Sequence, residues 1–374
     1  MEKTATSLIA LALASVSNCA FAQSSVTLYG IIDDSIQYVR HTGGKNSLLS
    51  LQAGQMSVSR WGLKGTEDLG GGLTALFNLE NGFNPNSGAL SGGLMFGRRA
   101  VVGLGSNTYG TVTAGRQQDT LQDLVLPVQP NNWLEYFTSP GDVDGADGTA
   151  RVSNAVKWTS VRWNGLQAAV MYGFGGQAGA MGSGQSYNAS VNYGTGPLTF
   201  AAGYARENNG NGAARATSVV TQAIYSTVVD AKYISAASVT RVRTGATYAF
   251  NAVTLGVNYS YAEYSADGAS TFTGSERYQN ASLFAVWKVT PSTLIEGAYN
   301  FMKSHGESSA TYHQATLAAD YLLSKRTDVY ASVSYGHASG SNGKGAAQAV
   351  IADSYPAPGS SSQQLIFAGI RHRF

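Results

Sequence analysis

The feature that most constrains this chain is a repeated alternation of apolar and small polar residues, in segments of about ten residues. In one segment Leu255, Val257 and Tyr259 share one parity, whereas Gly256 and Asn258 share the other. Because successive side chains of a β-strand point to opposite faces of the sheet, such a segment predicts a strand with one apolar face. Its length is also the length that a tilted strand needs to cross a bilayer.

The connections between these segments alternate between short and long. The short connections include 68–72, 164–165, 194–197, 251–252 and 291–292. The long ones, rich in Gly, Ser, Asn and Asp, cover 40–55, 82–94, 119–150, 174–184, 207–238, 265–277, 304–310 and 337–362. Short periplasmic turns on one side and long extracellular loops on the other are typical of outer-membrane barrels. A soluble β-sandwich would also alternate, but the water-facing parity here is small and neutral rather than rich in Lys and Glu.

The segments predict an all-β chain that closes as a transmembrane antiparallel β-barrel of about 16 strands. The predicted strands cover 25–40, 56–67, 72–81, 95–105, 110–118, 151–160, 165–174, 185–194, 197–206, 239–250, 252–264, 278–289, 292–303, 311–322, 327–337 and 364–374. An even number of strands closes the sheet and leaves no unpaired edge in lipid. A barrel of this size is wide enough to enclose a water-filled channel.

Composition agrees with a barrel and excludes other classes. Charged residues make up only 12% of the chain, which contains 45 Gly and 21 Tyr in 374 residues. After residue 22 no run approaches the roughly 20 apolar residues of a spanning helix. A net charge of +2, without a basic run, does not favour nucleic-acid binding.

The N-terminus predicts a secretory signal peptide over residues 1–22. Lys3 precedes a short apolar run at 8–14, and Ala20-Phe21-Ala22 matches the small-residue pattern of a cleavage site. The barrel domain is therefore expected to cover 23–374. Since the only cysteine, Cys19, lies in the signal, this domain is expected to contain no disulfide.

Several segments carry motifs that resemble one known family, the trimeric general diffusion porins of Gram-negative outer membranes, in particular the betaproteobacterial branch. The motifs are SVTLYGIID at 25–33, SRWGLKGTEDLGGGL at 59–73, FGRRAVVGL at 96–104, GTVTAGRQ at 110–117, RVSNAVKW at 151–158, LSKRTDVY at 323–330 and GIRHRF at 369–374. They span nearly the whole chain after the signal.

The resemblance implies a homotrimer in contact with outer-membrane lipid and lipopolysaccharide, through which small hydrophilic solutes and ions diffuse passively. It also implies that the third extracellular loop, about 119–150, folds into the barrel and narrows it. The C-terminal Phe374 is implied to be part of the signal that the barrel assembly machinery reads.

Parity predicts which basic side chains face the lumen. Trp61 and Leu63 share one parity, so Arg60 and Lys64 are expected to face inward, because a basic side chain in mid-bilayer lipid costs about 2–4 kcal/mol. With Val101 placed on the lipid face, Arg98 is the expected lumen residue of the adjacent pair at 98–99.

Other lumen positions follow from the resemblance or from parity. The resemblance implies that Arg116 and Arg151, which flank the third loop, line the narrowest point with Arg60, Arg98 and Lys64. On the first strand, parity turns Asp33 inward and Asp34 outward. Glu80 is a further candidate for the lumen.

The predicted third loop is acidic and is stiffened by prolines at 127, 130 and 140. We expect Asp119, Glu135, Asp142 and Asp144 to face the basic wall across the constriction. Such an arrangement produces a transverse field that orients water and polar solutes, and rings of charge set ion preference. The expected result is a modest preference for anions.

Three alternatives are considered. An outer-membrane barrel enzyme is disfavoured, because the chain has no H-E-x-x-H metal spacing and no G-x-S-x-G motif. No cofactor, metal or catalytic residue is therefore expected. A substrate-selective porin differs by saturable block of conductance by one solute. A non-conducting adhesin would need a plugged lumen.

Overall fold

The computed structural model describes residues 25–134, 137–148, 150–208, 227–352 and 358–374, and the predicted signal peptide over 1–22 lies outside them and stays a prediction. The described residues form seventeen β-strands. The strands are β1 (Ser25–Thr42), β2 (Lys45–Ala53), β3 (Arg60–Gly70), β4 (Leu73–Gly82), β5 (Arg99–Ser106), β6 (Gly110–Gln117), β7 (Val152–Thr159), β8 (Leu166–Gly173), β9 (Ser186–Thr195), β10 (Leu198–Asn208), β11 (Ser238–Phe250), β12 (Val253–Ser265), β13 (Ser275–Thr290), β14 (Thr293–His305), β15 (Thr311–Leu322), β16 (Thr327–Ser339) and β17 (Ser362–Arg373).

The strands close into an antiparallel barrel, which confirms the predicted fold. From β3 to β17 each strand pairs with its neighbour in sequence, and β17 returns to β1 in a ladder from Ile31↔Arg373 to Arg40↔Gln364. At the end of this seam Gly30 and Phe374 exchange backbone hydrogen bonds of 3.0 Å. A Cβ on Gly30 would lie 2.4 Å from the Phe374 ring, so only glycine leaves room for the terminal aromatic residue.

The extra strand, β2, lies where a long loop over 40–55 was expected, and that expectation was wrong. β1 continues to Thr42, and a two-residue turn follows at Gly43 and Gly44, whose φ angles are 60° and 67°. Two consecutive positive φ angles are the geometry of a tight hairpin turn, which glycine adopts without strain. The Gly-Gly pair was therefore a hairpin signal in the sequence.

Strands β2 and β3 are two halves of one strand that runs antiparallel to β1. The outer part of β1 pairs with β2, from Asp34↔Ala53 to Thr42↔Lys45, and the inner part pairs with β3, from Ser25↔Thr66 to Ile31↔Arg60. The barrel wall therefore has the expected sixteen strands when β2 and β3 are counted as one, and seventeen when β2 is counted as an extra strand. Residues 54–59 leave the wall between the two halves.

Asp33 holds this break in place. Its side chain is fully buried, with the carboxylate accepting hydrogen bonds from the Ser57 N–H at 3.1 Å and the Tyr330 hydroxyl at 2.7 Å. Its own N–H donates to the Ser59 hydroxyl at 3.0 Å. Asp33 thus faces inward as expected, and its contacts direct Met56, Ser57 and Val58 into the lumen.

The two faces of the wall have the polarity of a membrane barrel. Leu255 and Val257 on β12 point outward and are 53% and 59% exposed, whereas Asn258 and Ser260 point inward and are buried. A soluble protein would show the reverse. Among the helices of the described residues, none is both long and apolar enough to cross a membrane.

The inner loop, which we define as the described residues 118–134, 137–148 and 150–151, lies inside the barrel against β8–β15. It contains a short helix, α1 (Thr120–Leu124), and 3-10 turns at Leu126–Val128, Pro130–Asn132 and Pro140–Asp142. Leu121 packs on Ala201 and Ala205 of β10. The loop approaches β10 so closely that a Cβ on Gly203 would lie 2.7 Å from the Leu121 side chain. The open lumen that remains is lined by β1, β3–β7 and β17, with β14 and β15 at its edge.

Two outer loops also fold inward and hold the tip of the inner loop. The Gly141 N–H donates to the Ala352 carbonyl at 2.7 Å, and the Tyr278 hydroxyl donates to the Val229 carbonyl at 2.9 Å. A Cβ on Gly141 would lie 2.7 Å from Val229, so the inner loop and the outer loop that carries Val229 are in tight contact. The position of the inner loop is thus set by the loops around it as well as by the wall.

Candidate functional site: a charged constriction

A cavity of about 490 Å³ lies between the inner loop and the wall, and we call it the constriction. Among the described residues, its lining includes four arginines and three carboxylates. These are Arg60, Arg98, Arg371, Arg373, Asp147, Glu296 and Asp320. The loop side is otherwise mostly polar and uncharged, with Gln118, Gln122, Asn131, Asn132 and Trp133. A polar cavity with both signs of charge inside a closed barrel is suited to hydrated solutes.

Arg60 and Arg98 are held by one carboxylate. Glu80, which faces inward from β4, lies 2.7 Å from Arg98 Nε and 3.9 Å from Arg60 Nε. The Tyr29 hydroxyl donates to the same carboxylate at 2.9 Å. The structure therefore places Arg60, Arg98 and Glu80 together, as expected, and Glu80 offsets part of their charge.

Arg371 and Arg373, from the last strand, complete the arginine row and were missed as pore residues by the sequence analysis. Arg371 Nε lies 3.0 Å from Asp328, Arg373 Nη1 lies 2.6 Å from Asp328, and Arg371 Nη2 lies 3.4 Å from Asp320. The spacing of two residues that separates Arg371 from Arg373 puts both on one face of a strand. That spacing was the available signal in the sequence.

The expected orientation of β5 was wrong. Val101 is 7% exposed and faces inward, because β5 pairs with β4 through Glu80↔Arg99 and Asn78↔Val101. Arg99 therefore points into the lumen with Val101. Arg98 precedes the strand, where parity does not apply, and its side chain still reaches Glu80. Both arginines face the lumen, rather than only one of them.

Arg116 does not line the constriction, so its expected placement was wrong. It lies opposite Ala100 on the outward parity of β6, and the ladder to β7 shifts between Gly115 and Gln117. Its guanidinium donates to the Gly97 carbonyl and to the Ser153 hydroxyl, both at 2.7 Å.

Arg151 lies beside the constriction rather than in its lining. Its side chain is almost fully buried and donates to the carbonyls of Arg98 and Ala150, both at 2.9 Å, and to that of Gly148. The residue therefore connects the end of the inner loop to the start of β5. It supports the wall without presenting its charge to the cavity.

The loop acids are mostly structural, contrary to expectation. Asp142 accepts the Asp147 N–H at 3.0 Å, and Asp144 accepts the Ser139 hydroxyl at 2.7 Å; both side chains are buried. Neither lines the constriction, and Asp147 does. The expected residue Glu135 lies outside the described residues.

Asp119 anchors the inner loop to β11. One carboxylate oxygen caps α1 by accepting the Gln122 N–H at 2.8 Å. The carboxylate also lies 3.4 Å from Arg241 Nη2 and 3.8 Å from Arg243 Nη2, and Glu207 pairs with Arg241. These two arginines were not identified from the sequence, although their spacing of two residues was a signal for a shared strand face.

Lys64 faces the lumen as expected, but it lines a different cavity. This second cavity, of about 350 Å³, includes Lys64, Arg99, Lys157 and Asp123. Thr66, Thr111 and Thr159, which also line it, lie near the short turns. We call it the short-turn cavity, and α1 separates it from the constriction.

One acidic side chain of the outer loops is removed from the pore by burial. Asp230, between β10 and β11, is fully buried, and its carboxylate accepts the Thr227 hydroxyl at 2.9 Å. Burial raises the pKa of the Asp230 carboxyl well above its usual range, which favours the neutral form.

Comparison with known proteins gives consistent matches. A family model described as Gram-negative porin matches residues 7–341. An outer membrane porin protein of Bordetella pertussis is 36% identical over 46% of this chain and 48% of its own length. Outer membrane porin protein 32 of Delftia acidovorans is 35% identical over 55% of this chain and 61% of its own length. The matched segment thus spans about half to three-fifths of these two relatives. Among solved structures, an anion-selective porin from Comamonas acidovorans has a TM-score of 0.73 at 26% identity, with 94% of this chain and 100% of that one covered.

Proposed function

Because this chain belongs to the Gram-negative porin family and therefore to the outer membrane, we propose that it forms a water-filled channel for passive diffusion of small hydrophilic solutes and ions. The observation that carries the proposal is the constriction, a polar and charged cavity inside a closed barrel whose outer face is apolar. The relatives are porins, and diffusion through such a cavity requires no bond to be made or broken.

The basic wall of the proposed channel consists of Arg60, Arg98, Arg371 and Arg373. The inner loop opposes this wall with amide side chains and the carboxylate of Asp147. A wall of positive charge facing a less positive loop produces a transverse field in a narrow, low-dielectric passage. The field orients polar solutes and disfavours apolar ones.

The balance of charge supports a modest anion preference. The arginines outnumber the carboxylates in the lining, but Glu80 and Asp328 stand directly behind them and offset part of their charge. Lys64 and Arg99 add positive charge on the short-turn side of α1. The solved porin of Comamonas acidovorans is itself described as anion-selective.

The test is the reversal potential of the purified protein in a planar bilayer under a KCl gradient. We expect chloride to permeate better than potassium, and Arg60→Gln combined with Arg98→Gln to shift the potential towards cation preference. The control combines Arg277→Gln with Lys325→Gln, which removes the same charge from exposed positions outside the lumen. A strong cation preference of the unmodified protein would contradict the proposed selectivity, and absence of conductance would contradict the channel. Saturable block by one sugar or amino acid would favour the substrate-selective alternative.

We further propose that the outward face of β1–β6 is the contact between subunits of a homotrimer. Asp34 points outward there and accepts a hydrogen bond from Asn86 at 3.1 Å. Arg116 also lies on this face, where lipid would make a basic side chain cost about 2–4 kcal/mol near the midplane. Trp61 packs edge-on against Phe96 on the same face, with ring centroids 6.4 Å apart. Charged residues interspersed with aromatic ones suit a protein contact better than lipid.

A further inference from the structure

The short-turn cavity contains positive charge that the protein itself leaves unbalanced. Lys64 and Arg99 both face it from the wall. Within the described part of the chain, neither side chain forms an ion pair with a carboxylate. The Lys64 ammonium lies 5.3 Å from the centre of the Tyr29 ring, which orients it without neutralising it.

The cations of the constriction are in the opposite situation. Arg98 and Arg60 share Glu80, and Arg371 pairs with Asp328 and Asp320. A basic side chain with a carboxylate already bound has less to gain from a passing anion than one without. The strongest attraction for an anion along the lumen is therefore expected in the short-turn cavity rather than at the constriction.

The third cation of the short-turn cavity is already in use. Lys157 Nζ pairs with Asp123 of α1 and donates to the Gln118 carbonyl at 3.1 Å. This contact attaches the inner loop to β7 and forms the boundary of the cavity. It leaves Lys64 and Arg99 as the cations available to a ligand.

Neutral donors surround these two cations. The hydroxyls of Thr27 and Thr66 and the amide of Asn78 line the same cavity. A planar guanidinium with several hydroxyl donors matches an anion that has more than one oxygen, because each oxygen can accept a separate hydrogen bond. Chloride, a single centre, uses fewer of these donors.

We propose that the short-turn cavity is a second subsite of the channel, which binds a small oxyanion, a phosphate or a carboxylate, between Lys64 and Arg99. The proposal rests on the proposed channel function and adds a binding step to it. An oxyanion that passes the constriction would pause at this subsite before it leaves on the short-turn side. At concentrations that fill the subsite, the bound oxyanion would obstruct chloride and potassium.

The experiment measures single-channel current in KCl while inorganic phosphate or, in a second series, succinate is added. We expect concentration-dependent block by at least one of them. Lys64→Gln and Arg99→Gln should each raise the half-blocking concentration about fivefold, the factor for losing one charge at about 4 Å in water. Lys64→Arg should retain the block. The charge-matched control is Lys325→Gln, in an exposed short turn outside the cavity, which should not change the block.

The outcomes separate the subsite from the channel itself. The current in KCl alone shows for every variant that a channel has formed. If both oxyanions leave the current of the unmodified protein unchanged, or if neither Gln variant weakens the block, the subsite is refuted while the channel stands. An equal loss of block in Arg60→Gln would place the binding at the constriction and would also refute the proposal. Absence of any conductance in KCl would refute the channel function instead.

Discussion

At the scale of single residues, Glu80 offsets part of the charge of two arginines of the constriction. It is the carboxylate nearest to Arg98, it also lies near Arg60, and it accepts a hydrogen bond from Tyr29. Its position on β4, directly across from Gly62 and Arg99, keeps it inside the lumen. The field of the arginine row is therefore weaker than the number of arginines suggests.

We expect Glu80→Gln to increase anion preference, because it removes the negative charge and keeps an acceptor for Tyr29. The permeability ratio of chloride to potassium should rise by about two- to fivefold, as expected for one charge about 4 Å from a hydrated ion. Reversal potentials measure the ratio. Glu67→Gln, on an exposed side chain of β3 near its short turn, is the control and should leave the ratio unchanged. A shift of equal size in the control would show that charge outside the constriction determines selectivity.

Parity predicted the orientation of residues in mid-strand and was wrong at strand ends. Lys64 and Asp33 face inward as expected, because the strand continues on either side of each, and Arg60, the first residue of β3, keeps the parity of Lys64. Arg116 and Arg99 were misplaced where a strand begins or a ladder shifts by one residue. One residue of shift reverses every side chain, and such shifts are set by the neighbouring strand.

At the scale of elements, the inner loop is attached to β11 by ion pairs and to β10 by apolar packing. Asp119 joins α1 to Arg241 and Arg243 of β11, and these two side chains are fully buried. Removing one partner from a buried ion pair leaves an uncompensated charge, which typically costs about 3–5 kcal/mol. The position of α1 therefore depends in part on this carboxylate, above all through Arg243, because Arg241 also pairs with Glu207.

We expect Asp119→Ala to lower thermal stability and to make the open-channel current noisier, because α1 loses both its cap and its anchor. Asp119→Asn keeps a residue that can cap a helix but removes the charge, so it separates the two contributions. Circular dichroism during heating and single-channel recordings are the measurements. Asp267→Ala, which removes a turn cap in an exposed outer loop, is the control. Quiet, unchanged channels in Asp119→Ala would mean that packing alone positions the inner loop.

At the scale of the whole molecule, the barrel has a largely apolar outer surface, and the face of β1–β6 carries Asp34 and Arg116 among its aromatic residues. Outward aromatic residues occur on both sides of the barrel, as Trp61 on β3 and Trp287 on β13 show. Their surroundings differ, since Asp34 and Arg116 share the face of Trp61. The two tryptophans therefore provide a matched pair of sites, one in the proposed subunit contact and one in lipid.

We expect Trp61→Ala to lower the temperature at which the trimer dissociates, and Trp287→Ala to leave it unchanged. Large aromatic residues at a protein contact commonly contribute about 2 kcal/mol or more to association. The measurement is the fraction of trimer on unheated detergent gels over a temperature series. Equal effects of the two substitutions would remove the face of β1–β6 from the subunit contact, and a monomer at all temperatures would contradict the trimer.

The sequence by itself determined that this chain is an all-β barrel, where nearly all of its strands lie, and which mid-strand side chains face water. These properties depend on alternation with a period of two and on turn residues, which are local. Only the tertiary structure decided that β2 is a strand, that Arg371 and Arg373 complete the constriction, and that Asp119 is an anchor for a buried arginine. The partners Asp119 and Arg241 are 122 residues apart. Which charges meet across the lumen depends on strand tilt, on ladder shifts and on where the loops fold, and no local pattern encodes those contacts.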